Sequence, residues 1–235
     1  MDLKQTATAL GEEVSSLAFV WRLYIAMFKT KGNVDKMNRL SGTAFGLIQR
    51  AMIADLIRRI CAITDPPGNG ARQNLVLARA AQLFAAEPGG CPAAIAATIQ
   101  EVALKTASIR EHRNKSIAHL DLLTKQRQGA NLPTLVNGDL DTAVDAIFRA
   151  MQAIHHAVDG SHVAYEMSMI NNAEGEFEWM LNDALRFKRL RELAADNRVT
   201  DSEFRALSKH RSSRLDSTIM SDSKGGYTVD DDEGD

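Results

Sequence analysis

The segment from Ile109 to Asp121 carries side chains that could bind phosphate and transfer protons. It reads Ile-Arg-Glu-His-Arg-Asn-Lys-Ser-Ile-Ala-His-Leu-Asp. Histidine, with a reference pKa of about 6.5, can act as a base or an acid near neutral pH. Arginine presents planar paired donors that match phosphate oxygens. The histidines and arginines of this segment, among them His112, Arg113 and His119, are therefore candidates for acid–base and electrostatic chemistry.

The helix that positions these side chains is predicted to begin with Pro92 as its first residue. Its apolar stripe recurs at helical spacing, at Ile95, Ile99, Val102, Thr106 and Ile109. The next position of the stripe is Arg113, so a guanidinium falls on the buried face. An unpaired buried guanidinium is costly, so Arg113 requires a partner, solvent access or a ligand. The alternative is that the helix leaves the core here and the side chain reaches water.

The rest of the chain reads as amphipathic helices separated by turn residues, without a segment of sustained period-two alternation. Helices are expected over about residues 10–28, 34–63, 73–85, 140–158 and 177–195. Thr200 and Glu203 have capping-box spacing, so a short helix is predicted to start there. Short connections between long helices favour an all-α fold, an antiparallel helical bundle with a C-terminal helical extension.

Basic and acidic residues are concentrated in two separate parts of the C-terminal region. Residues 186–214 hold nine Lys/Arg against four Asp/Glu, whereas residues 222–235 hold six acidic residues and one lysine. We expect a helical bundle over 1–195, a basic helical extension over 196–216 and an acidic disordered tail over 217–235. The tail could simply keep the protein in solution, or it could mask a basic patch that faces nucleic acid.

Composition excludes several classes of protein. Apolar residues make up 45% and charged residues 25% of the 235 residues, as in ordinary globular proteins. There is neither an apolar run of membrane-spanning length nor a secretory signal pattern, so we expect a soluble, cytoplasmic protein that does not bind a membrane. Cys61 and Cys91 cannot form a disulfide framework, and neither stands in a nucleophile motif.

The arginine motif resembles the signature of the HEPN superfamily: an arginine, a polar residue and a histidine after four to six intervening residues. Arg113-Asn114 and His119 fit this pattern with five residues between Arg113 and His119. The flanking segments, Ile60–Pro66 and Gln73-Asn74-Leu75, look like the AbiU-like abortive-infection branch of that superfamily. The resemblance covers about residues 10–195.

The resemblance implies an all-helical bundle, a homodimer and, in many members, a metal-independent endoribonuclease. The implied catalytic residues are Arg113 and His119, contributed by two protomers to a cleft at the dimer interface. Asn114 is the accompanying polar residue, and His112, Lys115 and Ser116 are auxiliary candidates. Neither a cofactor nor a metal is expected. The implied partners are RNA, a second copy of the chain and an antitoxin or regulatory protein.

Helix geometry separates Arg113 and His119 around the helix axis. Six residues rotate an ideal helix by about 600°, which leaves Arg113 and His119 about 120° apart. Either the helix is distorted, or the cleft is wide, or the second protomer closes the gap. His112, Lys115 and His119 share a face at i+3 and i+4 spacing. The alternative for His112 is an exposed surface residue.

Asp55 and Asp65 lie near the segment that resembles the family, and either could orient Arg113 through an ion pair. His155, His156 and His162 are the remaining histidine cluster. We interpret them as ordinary helix and loop residues rather than metal ligands, because adjacent histidines point to different faces and no cysteine or carboxylate stands at ligand spacing.

Three functions remain open. The first is an endoribonuclease that acts as a toxin or phage-defence effector. The second is a non-catalytic HEPN module that binds RNA, nucleotide or a protein partner through the same residues. The third is a helical bundle in which the motif is coincidental.

Overall fold

The structure, a computed structural model, describes residues 1–69, 73–118, 137–165 and 173–209. The described residues form helices and contain no strand, which confirms the predicted all-α bundle. The helices are α1 (Leu3–Phe28), α2 (Lys31–Thr64), α3 (Leu77–Ala86), α4 (Ala93–Lys105), α5 (Ala107–His112), a π-helical turn (Arg113–Ala118), α6 (Asn137–Asp159), α7 (Ala173–Ala195) and α8 (Asp201–Lys209). Within these ranges, no helix is long and apolar enough to cross a bilayer. The acidic tail predicted over 217–235 lies outside the described residues.

The chain divides into two compact units, residues 1–25 with 47–171 and residues 26–46 with 172–235. The first unit contains the motif segment. Its α4 packs against α6, and its core is built from the apolar stripes of its helices. The fully buried large side chains of this unit include Leu10, Leu17, Tyr24, Leu56, Ile57, Ile60, Leu77, Ile95, Ile109, Ile147 and Met151.

Most of the stripe that precedes the motif is buried as predicted, with Ile99 only partly buried, but the stripe does not belong to one continuous helix. Ile95, Val102 and Ile109 are buried. Helix α4 ends at Lys105, and Thr106 adopts φ −101° and ψ 0° before α5 begins. Pro92 is the N-cap, with ψ 134°, rather than the first helical residue, so this prediction is wrong by one position.

The second unit is organised by the helical hairpin of α7 and α8. Leu190 and Leu193 are buried, and Val199 and Phe204 pack against them. Helix α7 ends at Ala195, the predicted residue. Asn197 lies in the left-handed region at φ 55°. The N–H groups of residues 197 and 198 return to the carbonyls of residues 194 and 193, which is a Schellman cap.

The predicted capping box is present at the start of α8. The Thr200 N–H donates to Oε2 of Glu203 at 2.9 Å, and the Glu203 N–H donates to Oγ1 of Thr200 at 3.3 Å. Each side chain thus satisfies a backbone donor of the other residue, which is how a helix start stabilises itself. The hydrogen bonds from Thr200 lower the pKa of the Glu203 carboxyl.

Helix α2, predicted over about residues 34–63, is not continuous in its geometry. It bends at Ser41, where φ is −167° and ψ is 87°. Gly42 follows, and a Ser/Gly pair is a common place for a helix to kink.

Candidate functional site

The motif begins where regular α-helical geometry ends. Arg113 follows the last residue of α5 and opens the π-helical turn Arg113–Ala118. A π turn has i→i+5 hydrogen bonds instead of i→i+4, and such turns occur often at functional sites. Of the three geometries that the spacing allowed, the distorted helix is therefore present over Arg113–Ala118. His119 lies outside the described residues.

Arg113 finds a partner, as its place on the buried stripe requires. Its Nη1 donates to Oδ2 of Asp65 at 2.5 Å, and about a quarter of each side chain is exposed. Its Nε and Nη2 both donate to Oδ1 of Asn114, at 3.1 and 2.9 Å. The hydrogen bond to Asp65 raises the pKa of the Arg113 guanidinium. Arg113 is therefore a fixed cation rather than a side chain that extends into water.

The carboxylate that holds Arg113 stands directly after the end of α2. The Asp65 N–H donates to the carbonyl of Cys61 at 2.8 Å, so the backbone at Asp65 continues the helical pattern. Pro66 and Pro67 follow, and neither can donate a backbone hydrogen bond to extend the helix. Asn74 fastens this loop, because its N–H and Nδ2 donate to the carbonyls of Pro67 and Pro66, both at 2.9 Å.

Arg110 of α5 connects the same loop to the end of α4, a role that the sequence did not predict. Its Nη1 donates to the carbonyl of Thr64 at 3.2 Å and to Oγ1 of Thr106 at 2.8 Å, and its Nη2 donates to the carbonyl of Ala103 at 2.8 Å. A cation at the last carbonyl of α2 is favourable, because the C-terminal end of a helix carries partial negative charge. The local sequence feature that could have indicated this role is the i+4 spacing of Thr106 and Arg110, which places the two side chains on one helix face.

Asp55, the other proposed partner of Arg113, has different partners, so that hypothesis is wrong. Its carboxylate accepts hydrogen bonds from Arg58 at 2.8 Å and Arg59 at 2.6 Å, its neighbours one helical turn later. Arg59 also donates to Oγ of Ser16 at 2.7 Å. Asp55 therefore links α2 to α1 through Arg59.

The auxiliary residues differ in their surroundings. Lys115 is paired with Glu111 at 2.6 Å on the solvent side of the helix. His112 is half-buried at the end of α5. Ser116 belongs to the π-helical turn, but its side chain lies outside the described residues. The structure thus places Asn114 and Asp65 directly on Arg113, and the catalytic roles of Arg113 and His119 stay predictions.

The cysteines and the second histidine group show different chemistry. Cys61 is fully buried, and burial raises the pKa of its thiol to about 11. Nε2 of His155 and the hydroxyl of Tyr165 are 2.9 Å apart, and their rings stack. Burial lowers the pKa of His155. Among the described side chains, no group of three His, Cys, Asp or Glu is arranged to hold a metal ion.

One comparison with known families identifies the chain. The model of the AbiU2 family, a HEPN family, matches residues 2–176, about three quarters of the sequence. The chain belongs to the AbiU2 family of HEPN proteins. The match runs from α1 into the first turn of α7, so it includes Asp65, the π-helical turn and the whole arginine motif. No curated protein and no solved structure matches the chain.

Proposed function

We propose that this AbiU2 protein is a metal-independent endoribonuclease that acts as a toxin or phage-defence effector in abortive infection. The observation that carries the proposal is the anchored Arg113, whose guanidinium is held at the entrance of a π-helical turn by Asp65 and Asn114. A cation fixed before its ligand arrives avoids the cost of ordering a long side chain during the reaction. The matching histidine of the motif is His119, five residues after Arg113-Asn114 in the sequence.

The proposed reaction needs proton transfer and charge stabilisation rather than a protein nucleophile. The 2′-hydroxyl of RNA attacks the adjacent phosphorus, the bond from phosphorus to the 5′-oxygen breaks, and a 2′,3′-cyclic phosphate and a 5′-hydroxyl result. His119 accepts the proton of the attacking hydroxyl, and an acid returns a proton to the leaving oxygen. General acid–base catalysis of this kind is typically worth about 10²–10⁴-fold. Arg113 stabilises the additional negative charge on the phosphoryl oxygens.

A homodimer completes this chemistry. Each chain supplies one motif histidine, so His119 of one protomer serves as the base and the partner's His119 serves as the acid. A toxin of this kind also requires restraint in its host cell, so an antitoxin or regulatory protein is the second expected partner.

The alternative proposal is a non-catalytic module that binds RNA, nucleotide or a protein partner. One observation favours it: all three nitrogens of the Arg113 guanidinium already donate within the chain, to Asp65 and Asn114. In this case the arginine supports the local structure, and ligand binding is salt-dependent without turnover.

Cleavage assays in EDTA distinguish the two proposals. We expect the purified protein to cleave single-stranded or cellular RNA and to leave 2′,3′-cyclic phosphate ends, and Arg113→Ala and His119→Ala to lose this activity while remaining folded and dimeric. Arg149→Ala and His156→Ala are the matched controls, because both residues are exposed on α6 and should retain activity. RNA binding by all variants without cleavage by any of them would support the non-catalytic module.

A further inference from the structure

The structure divides the donors of the Arg113 guanidinium between a buried end and an outer edge. Nη1 points to Asp65, whose carboxylate is three-quarters buried and whose Oδ1 is buried without a hydrogen-bond partner among the described residues. Nε and Nη2 form the outer edge, which is occupied by the side chain of Asn114. Asn114 is exposed. The inner end is thus held by a charge, and the outer edge by an exposed neutral amide.

We propose that Asp65 is a positioning residue of the ribonuclease site, which holds Nη1 of Arg113 so that its Nε–Nη2 edge faces outward to receive a phosphate group. The inference rests on the proposed function. In the free protein the amide oxygen of Asn114 occupies the position of a phosphate oxygen, because it accepts from both donors of the edge at 3.1 and 2.9 Å. An RNA phosphate replaces a neutral acceptor with a charged one, and charged acceptors bind more strongly.

The location of Asp65 supports a positioning role. A carboxylate directly after the last turn of a helix is unfavourable, because that end of the helix already carries partial negative charge. Asp65 has this location after Thr64, the last residue of α2. The prolines that follow and the two hydrogen bonds from Asn74 hold its backbone in place. Arg110 lies at the carbonyl of Thr64 on the same helix end, but the described ion pair of the carboxylate itself is with Arg113.

Because Asp65 is negatively charged, removal of its charge should affect RNA binding and kcat differently. RNA is a polyanion, so a carboxylate beside the phosphate site weakens binding by itself. Removing that charge with Asp65→Asn should leave RNA binding unchanged or make it tighter. If Asp65 orients Arg113, the same substitution lowers kcat, because a displacement of a catalytic group by about 1 Å can reduce a rate by about 10²-fold. A purely repulsive carboxylate would give higher activity on removal instead.

The experiment compares Asp65→Asn with wild type on an unstructured single-stranded RNA of mixed sequence. We expect kcat to fall by about 10²-fold, with KM unchanged or lower. The affinity for the same RNA with 2′-O-methyl groups, which cannot be cleaved, should be equal or higher. Asp55→Asn is the matched control, because Asp55 lies on α2, the helix that ends directly before Asp65, and also pairs with arginine. It should retain the wild-type kcat.

Two further variants keep the inference testable if Asp65→Asn is poorly folded. Asp65→Glu retains the charge but displaces it by one methylene, so it should fold, bind RNA normally and still lower kcat. In an Arg113→Lys background, Asp65→Asn should cause no further loss, because residues that act through one another are not additive.

Different results overturn different statements. A wild-type kcat in Asp65→Asn, a loss confined to KM, or a full additional loss in the Arg113→Lys background would overturn the role of Asp65 while the nuclease stands. A wild-type protein that cleaves no RNA would overturn the proposed function and the role of Asp65 with it.

Discussion

The pair formed by Arg113 and Asp65 should be one of the strongest polar couplings in the first unit. Both side chains are about a quarter exposed, and the two atoms Nη1 and Oδ2 are 2.5 Å apart. A hydrogen bond to a charged group is worth about 1.5–3 kcal/mol. Removal of one partner from a buried pair costs about 3–5 kcal/mol, and the partial exposure here places Arg113→Met near the lower end.

A double-mutant cycle tests this magnitude. We expect Arg113→Met to lower the free energy of unfolding by about 3 kcal/mol and Asp65→Asn to lower it by about 2 kcal/mol. The double variant should lose about 3 kcal/mol rather than the sum, which corresponds to a coupling of about 2 kcal/mol. For a chain of this length, a loss of about 3 kcal/mol lowers Tm by about 6–12 °C.

The assay is urea unfolding monitored by far-ultraviolet circular dichroism. The m-values of the variants are compared, because a shift of the urea midpoint at an unchanged m-value reports a change in stability. Asp55 and Arg58 form the control pair, because Arg58 is 61% exposed and its pairing is local. Their coupling should be about 0.2–1 kcal/mol and should weaken with salt. If the coupling of Arg113 and Asp65 is no larger than that of the control pair, then the arginine is not anchored, and the argument for a preorganised cation fails.

Three further predictions concern other parts of the chain. Gly11→Ala should destabilise the protein by about 1 kcal/mol, because its new Cβ would lie 3.0 Å from Nε2 of His155, which is hydrogen-bonded to the Tyr165 hydroxyl. The overpacking cost of about 1–3 kcal/mol exceeds the helix-propensity gain of about 0.5–1 kcal/mol, and a urea midpoint equal to wild type would contradict this. Native protein should be alkylated at Cys91 well before Cys61, whose thiol is buried and has a pKa raised to about 11, and mass spectrometry of peptides measures the order. The start of α8 should fray as pH falls through the lowered pKa of Glu203, because protonation removes the charged acceptor of the capping box. The measurement is amide exchange at the start of α8, expressed as protection relative to an unstructured peptide at the same pH, and protection that stays constant throughout this acid range would refute the assignment.

The local features of the fold were predictable because each depends on residues a few positions apart. The stripe between Ile95 and Ile109, the end of the helix predicted over 34–63 and the capping box at Thr200 each depend on residues within one or two helical turns, and the structure confirms them. The break at Thr106 was not predictable in this way. It keeps the stripe buried on both sides, so the hydrophobic pattern does not change there.

The contacts of the candidate site depend on residues that are distant in sequence. Asp55 and Asp65 were equivalent as sequence candidates, since each is an acidic residue on the same helix or directly after it. Asp55 pairs one turn away with Arg58 and Arg59, whereas Asp65 meets an arginine 48 residues later. Arg110 likewise donates to the carbonyl of Thr64, 46 residues earlier. Every residue has a backbone carbonyl, so the sequence does not show which one will accept this hydrogen bond.

The sequence by itself therefore determined the approximate positions of most helices, the family and the position of a cation, Arg113, on the stripe of buried residues. These follow from short-range periodicity and from a motif whose residues are neighbours. The tertiary structure alone decided which acid anchors that cation and which edge of its guanidinium is turned outward. The physical reason is that an ion pair depends on the distance and exposure of two side chains. Both are set by the tertiary fold, which brings the end of α2 beside Arg110 and Arg113.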